Sequence, residues 1–385
     1  NTLFDVVGEV YSEFEAVIAD EYPDIDVPKL FEFRSWAGSD RDGNPFVTVD
    51  VTDETLDTQR EIVLDRYKTQ LKRLSAVLSQ DGNRYATTGA FQTSLAADME
   101  RFPSVPEEAK ERYPEEPYRQ KFGSMRERLA RVGDVRPGGY EDEEELLADL
   151  ETVDASLRSY GGVDIADAFI EPLIRQVDTF GFSLASLDLR DHRIQHTKAV
   201  DEALANEGID YRELDEDDRT ELLTEAILQD EPLIDMASPG DLTEESQKVF
   251  DRFVALGDWQ TEYGTEAIDT YCISMAEEPS HVLEVLFLAD QVDVVSLPDH
   301  VGLDIVPLLE TEYALNGADR IMGTLFENEA YGQAIEARND TQEILLGYSD
   351  SNKENGFMAA NWDLYKNQKR LAEITADYDI TMRLF

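Results

Sequence analysis

EILLGYSDSNKENGFMAANWDLYKNQK, residues 343–369, is the stretch whose reading decides the fold. An apolar run, Ile344, Leu345 and Leu346, stops at Gly347 and gives way to polar residues, and a helical pattern begins at Phe357. That is a strand, a polar loop and a helix. In a parallel barrel or a doubly wound sheet, the loop after the carboxyl end of a strand is where side chains meet a ligand. Asp350 and Lys353, opposite in sign, sit in this loop. Taken by itself, the loop reads equally well as a solvated turn.

Working outward, the same unit recurs. Residues 303–310 (LDIVPLLE), 268–275 (IDTYCISM) and 183–190 (SLASLDLR) each read as a short strand followed by helical periodicity. Residues 31–36 and 380–385 add two more candidates, for six strands with helices after them. Repeated alternation of this kind implies parallel strands joined by right-handed crossovers, and suits a barrel better than a sandwich. Residues 51–180 carry helical spacing almost throughout, broken by prolines and glycines. The expected architecture is therefore mainly α with an embedded parallel β-barrel, incomplete in this chain. Its parts are a helical segment (1–30), a barrel strand and loop (31–50), a helical insertion (51–180) and strands alternating with helices (181–385).

Composition narrows the function. With 84 Asp and Glu against 34 Lys and Arg, the chain carries a formal charge of −50. Such a polyanion repels nucleic acid and anionic membranes, so neither is an expected partner. The acids are spread through amphipathic segments with ordinary core residues. They read as a folded, salt-adapted surface of halophilic type, on which concentrated salt screens repulsion over a few Å. Cys272 is the only cysteine, which excludes an internal disulfide and fits a reducing compartment. No apolar run approaches the roughly 20 residues that a helical membrane span requires. Asn1 lies inside a helical pattern and Phe385 inside an apolar run, so the chain is expected to be a piece of a longer protein.

The strand ends hold the chemistry. Arg190 closes one strand, Glu310 another, and Asp350 follows a third. Glu310 and Asp350 belong to consecutive strands, which in a barrel pair about 4.8 Å apart. Two carboxylates that close repel unless a cation lies between them. Mg²⁺ or Mn²⁺ suits this, because Mg²⁺ is commonly held by one or two carboxylates plus water and substrate oxygens. The alternative is a pair of solvated acids in a chain full of them. Arg190 at the same rim offers a planar fork for a phosphate or carboxylate. His192 and His196 are spaced for one helix face but lack a third ligand for zinc. Asp40, Asp42 and Asn44 imitate a calcium loop, but Pro45 stands where glycine is needed and Val51 where glutamate is needed.

At this point the motifs become recognisable. SWAGSDRDGNPFVT (35–48), EPYRQKFGSMRERL (116–129), LDLRDHRIQH (187–196), YCISMAEEPSHVLEV (271–285), PLLET (307–311) and GYSDSNKENG (347–356) occur in order, and the chain resembles the phosphoenolpyruvate carboxylase family over its whole length. That resemblance implies a phosphoenolpyruvate-type TIM barrel among many helices, in a cytoplasmic homotetramer. The implied reaction joins bicarbonate to phosphoenolpyruvate, giving oxaloacetate and phosphate with Mg²⁺ or Mn²⁺. Carried onto matching positions, Glu310 and Asp350 are the metal ligands, Arg190 binds phosphate, Lys353 is an active-site lysine, and Trp36, Leu308 and Leu345 line the pocket for the substrate's methylene. Leu345 replaces a usual methionine, Leu309 a frequent phenylalanine, and Asp191 and His192 a usual Gln-Glu pair. The family's TAHPTE histidine segment and HGRGG loop are expected outside these residues, so the segment alone is expected to be inactive. Two other readings are a different Mg²⁺-dependent, enolate-forming enzyme of the same barrel group, and a non-catalytic scaffold derived from the carboxylase.

Overall fold

A computed structural model describes residues 1–385 except 1, 23, 24, 26, 103–111, 230, 237, 349–351, 354 and 355, and except the side chains of 2 and 19–21. The chain divides into two compact units, Asn1–Phe33 with Leu56–Ala185, and Arg34–Thr55 with Ser186–Phe385.

The first unit is helical among its described residues. Helices Thr2–Glu21, Gly89–Arg101, Pro117–Leu129, Glu143–Ser159 and Glu171–Phe180, with most of Val49–Val77, enclose one apolar core that includes Tyr67, Phe91, Phe122 and Val153. Polar caps set the helix starts: Thr88 accepts from the Phe91 N–H and Asp142 from the Glu145 N–H. Phe31 and Phe33, expected in a strand, belong to this core instead. Phe33 stacks on Phe180 with centroids 5.3 Å apart, and Phe31 meets Tyr11 edge-on at 5.6 Å. Their aromatic area is worth more against the helices than in a strand. Inside the unit Lys121 is fully buried, and its ammonium donates to Ser94 (2.7 Å), Asp98 (2.8 Å) and Asp149 (2.5 Å).

The second unit is built on a six-stranded parallel sheet. Its strands are β1 (Arg34–Ser35), β2 (Ser186–His192), β3 (Thr270–Ser274), β6 (Asp304–Leu309), β7 (Thr341–Leu346) and β8 (Thr381–Leu384), ordered β1-β2-β3-β6-β7-β8. Each expected strand is present, with shifted ends. β1 shrinks to two residues because the phenylalanines before it are committed elsewhere, and β2 runs two residues past Arg190. A small antiparallel hairpin, β4 (Val295–Ser296) with β5 (His300–Val301), was not expected; two-residue strands are too short to show a period. The helix Pro279–Asp290, between β3 and β4, is buried all round from residue 279 to 289. Such burial suits a helix that is apolar over most of its length, and its buried polar side chains Ser280, His281 and Glu284 are hydrogen-bonded.

The sheet is rolled. Arg34 of β1, at one edge, donates to Asp188 of β2 at 2.8 Å and also to Glu343 of β7, four strands away in the order, at 2.7 Å. Trp36, just after β1, and Phe385, just after β8, bring their rings to 6.3 Å although their strands are opposite edges. A flat sheet with strands about 4.8 Å apart would hold these groups well over 10 Å from each other. The structure is thus a partial parallel barrel in a mainly helical protein.

Candidate active site at the strand ends

Alternation along the strands sorts the concave face into layers. Residues two apart share a face, so Arg34 and Trp36, Asp188 and Arg190, Cys272 and Ser274, Val306, Leu308 and Glu310, and Glu343 and Leu345 belong together. The lowest layer is ionic: Arg34 joins Asp188 to Glu343, and these charges hold its guanidinium well above the ordinary range despite burial. The middle layer is apolar. Cys272, Val306, Leu308 and Leu345 form one buried cluster, against which Trp36 packs. Asp188 links the two layers, since its other carboxylate oxygen accepts from Trp36 Nε1 at 2.9 Å. Burial pushes the Cys272 thiol far up, so it acts as a small apolar group rather than a nucleophile.

The top layer holds Arg190 and Glu310. Arg190 donates from Nε to Ser274 Oγ at 2.9 Å, while Glu310 Oε1 accepts the N–H of the next residue, Met275, at 2.9 Å. The end of β3 is therefore clasped on consecutive residues by the two charged groups expected at the rim. Met275 adopts φ 59°, the left-handed region that non-glycine residues rarely enter, just where its amide meets Glu310. The glutamate side chain is buried, 4% exposed. Gly347, just after β7, makes room for it: a Cβ there would lie 2.3 Å from Glu310 Cβ. Beside this rim, Met275, Glu277, Thr311, Tyr313 and Arg320 line an open cleft of about 950 Å³.

Of the residues expected at the site, Trp36, Leu308 and Leu345 come together in the apolar cluster, and Arg190 and Glu310 meet through Ser274 and Met275. Lys353 is exposed between β7 and the helix Phe357–Asp377. Asp350 lies outside the described residues. Among the described residues no three His, Cys, Asp or Glu side chains cluster as a metal cage. One or two carboxylates suffice for Mg²⁺, however, and a buried glutamate with one oxygen fixed by a backbone amide supplies the hard oxygen donor such an ion takes.

Several partners escaped the sequence reading. Asp40 and Asp42, set aside there as a failed calcium loop, contact Arg190 at 3.4 and 3.0 Å. The two histidines do separate jobs. His192 Nδ1 accepts from the Ile194 N–H and caps the next helix, whereas His196 is fully buried with Nε2 2.8 Å from the Tyr271 hydroxyl. Burial pushes the His196 ring down to about 3, so it stays neutral. Asp191 points away from the rim and pairs with buried Arg252 at 2.7 Å. Burial alone would raise its carboxyl, but Arg252 together with the His192 N–H and the neighbouring His196 outweighs that, leaving it below the usual carboxylate range. The parity of β2 could have revealed this, because Asp191 and Arg190 must face opposite ways.

Comparison with known proteins now bears on the arrangement. A family model described as Phosphoenolpyruvate carboxylase matches residues 1–385. Phosphoenolpyruvate carboxylases of a Synechococcus strain, of Roseiflexus castenholzii and of Xanthomonas euvesicatoria are 33%, 33% and 34% identical to the chain. Each alignment covers all of this chain and 38%, 42% and 42% of the respective relative. The chain thus spans about two fifths of the length of the curated relatives it matches.

Proposed function

The chain belongs to the phosphoenolpyruvate carboxylase family, and on that premise we propose that the full-length enzyme carrying it joins bicarbonate to phosphoenolpyruvate, releasing phosphate and oxaloacetate. The observation that carries this reading is the clasp at the end of β3, where Arg190 and Glu310 bind Ser274 and Met275 beside an apolar cluster. An anion grip, a hard-cation ligand and a dry wall in one rim are what this substrate demands.

Arg190 holds the phosphate through charge-assisted hydrogen bonds, in line with the attacking bicarbonate oxygen. Trp36, Leu308 and Leu345 face the methylene carbon and keep water from the enolate that phosphate transfer leaves behind. Glu310, its orientation fixed by the Met275 amide, would hold Mg²⁺ or Mn²⁺ together with Asp350. When bound, the cation would supply stabilisation of developing negative charge. Lys353 offsets negative charge near Asp350 or carries a proton. The working assembly in this reading is a cytoplasmic homotetramer.

The test is bicarbonate dependence. With the full-length enzyme and Mg²⁺, oxaloacetate and phosphate should form in equal amounts, and only when bicarbonate is supplied. Enolate-derived product appearing at an undiminished rate without bicarbonate would favour another enzyme of the barrel group.

A further inference from the structure

Arg190 is held by more than a phosphate grip needs. A guanidinium has five N–H donors. Here Nε donates to Ser274 Oγ, Nη1 to Asp40 Oδ2 and Nη2 to Asp42 Oδ2, and the Trp36 ring lies 4.9 Å from Cζ. Three donors are committed, which leaves one N–H on each terminal nitrogen. Two such hydrogens form the fork that meets two oxygens of one anion. Yet two carboxylates around one guanidinium make the group net negative, which opposes a phosphate. Charge alone would favour their absence, so their contribution must be geometric.

We infer that Asp42, assisted by Asp40, is a positioning residue that fixes the Arg190 fork over Trp36 before the substrate's phosphate arrives. The inference rests on the phosphate role proposed for Arg190. Ordering an arginine on binding costs conformational entropy, and a fork fixed in advance avoids that cost. The loop does not need the Asp42 side chain to stay in place. The Arg41 N–H donates to the Arg190 carbonyl at 2.8 Å, and the Arg190 N–H to the Ser39 carbonyl at 3.3 Å. Arg41 also anchors to Thr52 Oγ1 at 2.6 Å. Asp40 has a second task, accepting the Asp42 N–H at 3.0 Å, which makes Asp42 the cleaner position to change.

The experiment compares Asp42→Ala, Asp42→Asn and Arg190→Met in the full-length enzyme, reading KM for phosphoenolpyruvate, kcat and Tm. Asp42→Ala should raise KM about three- to tenfold, with a smaller change in kcat and an unchanged Tm. Asp42→Asn keeps an acceptor oxygen and removes the opposing charge, so its KM should equal the wild-type value or fall below it. An unchanged or lower KM in Asp42→Ala overturns the inference, as does an asparagine variant as impaired as the alanine one. Arg190→Met separates the two levels: a raised KM there with a normal Asp42→Ala removes only the positioning role. A normal KM in Arg190→Met removes the phosphate assignment and the inference together.

Discussion

Lys121 in the helical unit and Arg190 at the strand ends are both cations flanked by two aspartates, and they differ in how completely they are satisfied. The Lys121 ammonium has three donors and three partners, Ser94, Asp98 and Asp149. Arg128 and Tyr140 complete the shell around Asp149. Nothing is left to bind a ligand. Arg190 spends three donors of five, and its acidic partners are part exposed, at 29% and 25%. A saturated, sealed cluster serves the fold, whereas an unsaturated one at a rim is available to a substrate. Buried charge by itself therefore does not mark a site; unspent hydrogen-bonding capacity does.

The strongest way to break that contrast is to remove each cation. Lys121→Met strands two buried carboxylates and should cost about 3–5 kcal/mol, seen as a lower Tm in calorimetry of the full-length enzyme. Arg190→Met should cost no more than about 1 kcal/mol, because its partners can turn to water. Equal losses would dissolve the distinction.

A buried acid with no direct ion pair among the described residues offers an intermediate case. Glu284 is fully buried, accepts from Thr197 Oγ1 at 2.7 Å and Tyr211 at 2.9 Å, and is pushed up to about 8 by burial. The folded protein therefore retains a proton that the unfolded chain releases near 4.5. The stability from this group is fully present below 4.5 and is lost as pH rises through about 8. Glu284→Gln keeps the neutral shape, so its stability advantage over wild type, followed through Tm, should widen between pH 5 and 8.5 and reach roughly 4 kcal/mol at most. A pH-independent difference would mean that the acid is ionised in the fold.

Smaller still is the change that crowds the rim. Gly347→Ala would set a methyl against Glu310 Cβ, with an expected loss of about 1–3 kcal/mol and weaker Mn²⁺ binding. Unaltered Mn²⁺ affinity and Tm would show that the glycine is not needed for the approach.

Much of this was legible in the chain. The strand-loop-helix unit around residues 343–369, the parallel order and the rim position of Glu310 follow from periodicity and from where strands stop, whereas the expected stop at Arg190 falls two residues short of the end of β2. Trp36, Leu308 and Leu345 were named only through the resemblance to the carboxylase family, and the structure gathers them into one apolar cluster. The Asp42–Arg190 contact was not readable, because 148 positions separate the partners and a short-range motif suggested calcium instead. Nor was Lys121: acids on helices read as solvated faces until a tertiary neighbour claims them. Phe31 and Phe33 misled for a related reason, since aromatic residues suit a strand and a helical core alike, and only packing chooses.

We propose that the strand-end rim, through Glu310, holds a divalent cation for catalysis. Mn²⁺ titration of the full-length enzyme, followed by electron paramagnetic resonance, tests it most directly against the weak sites of so acidic a surface. One tight stoichiometric site is expected in the wild type, weakened at least about tenfold in Glu310→Gln while the weak sites persist. A tight site of unchanged affinity in Glu310→Gln would contradict it.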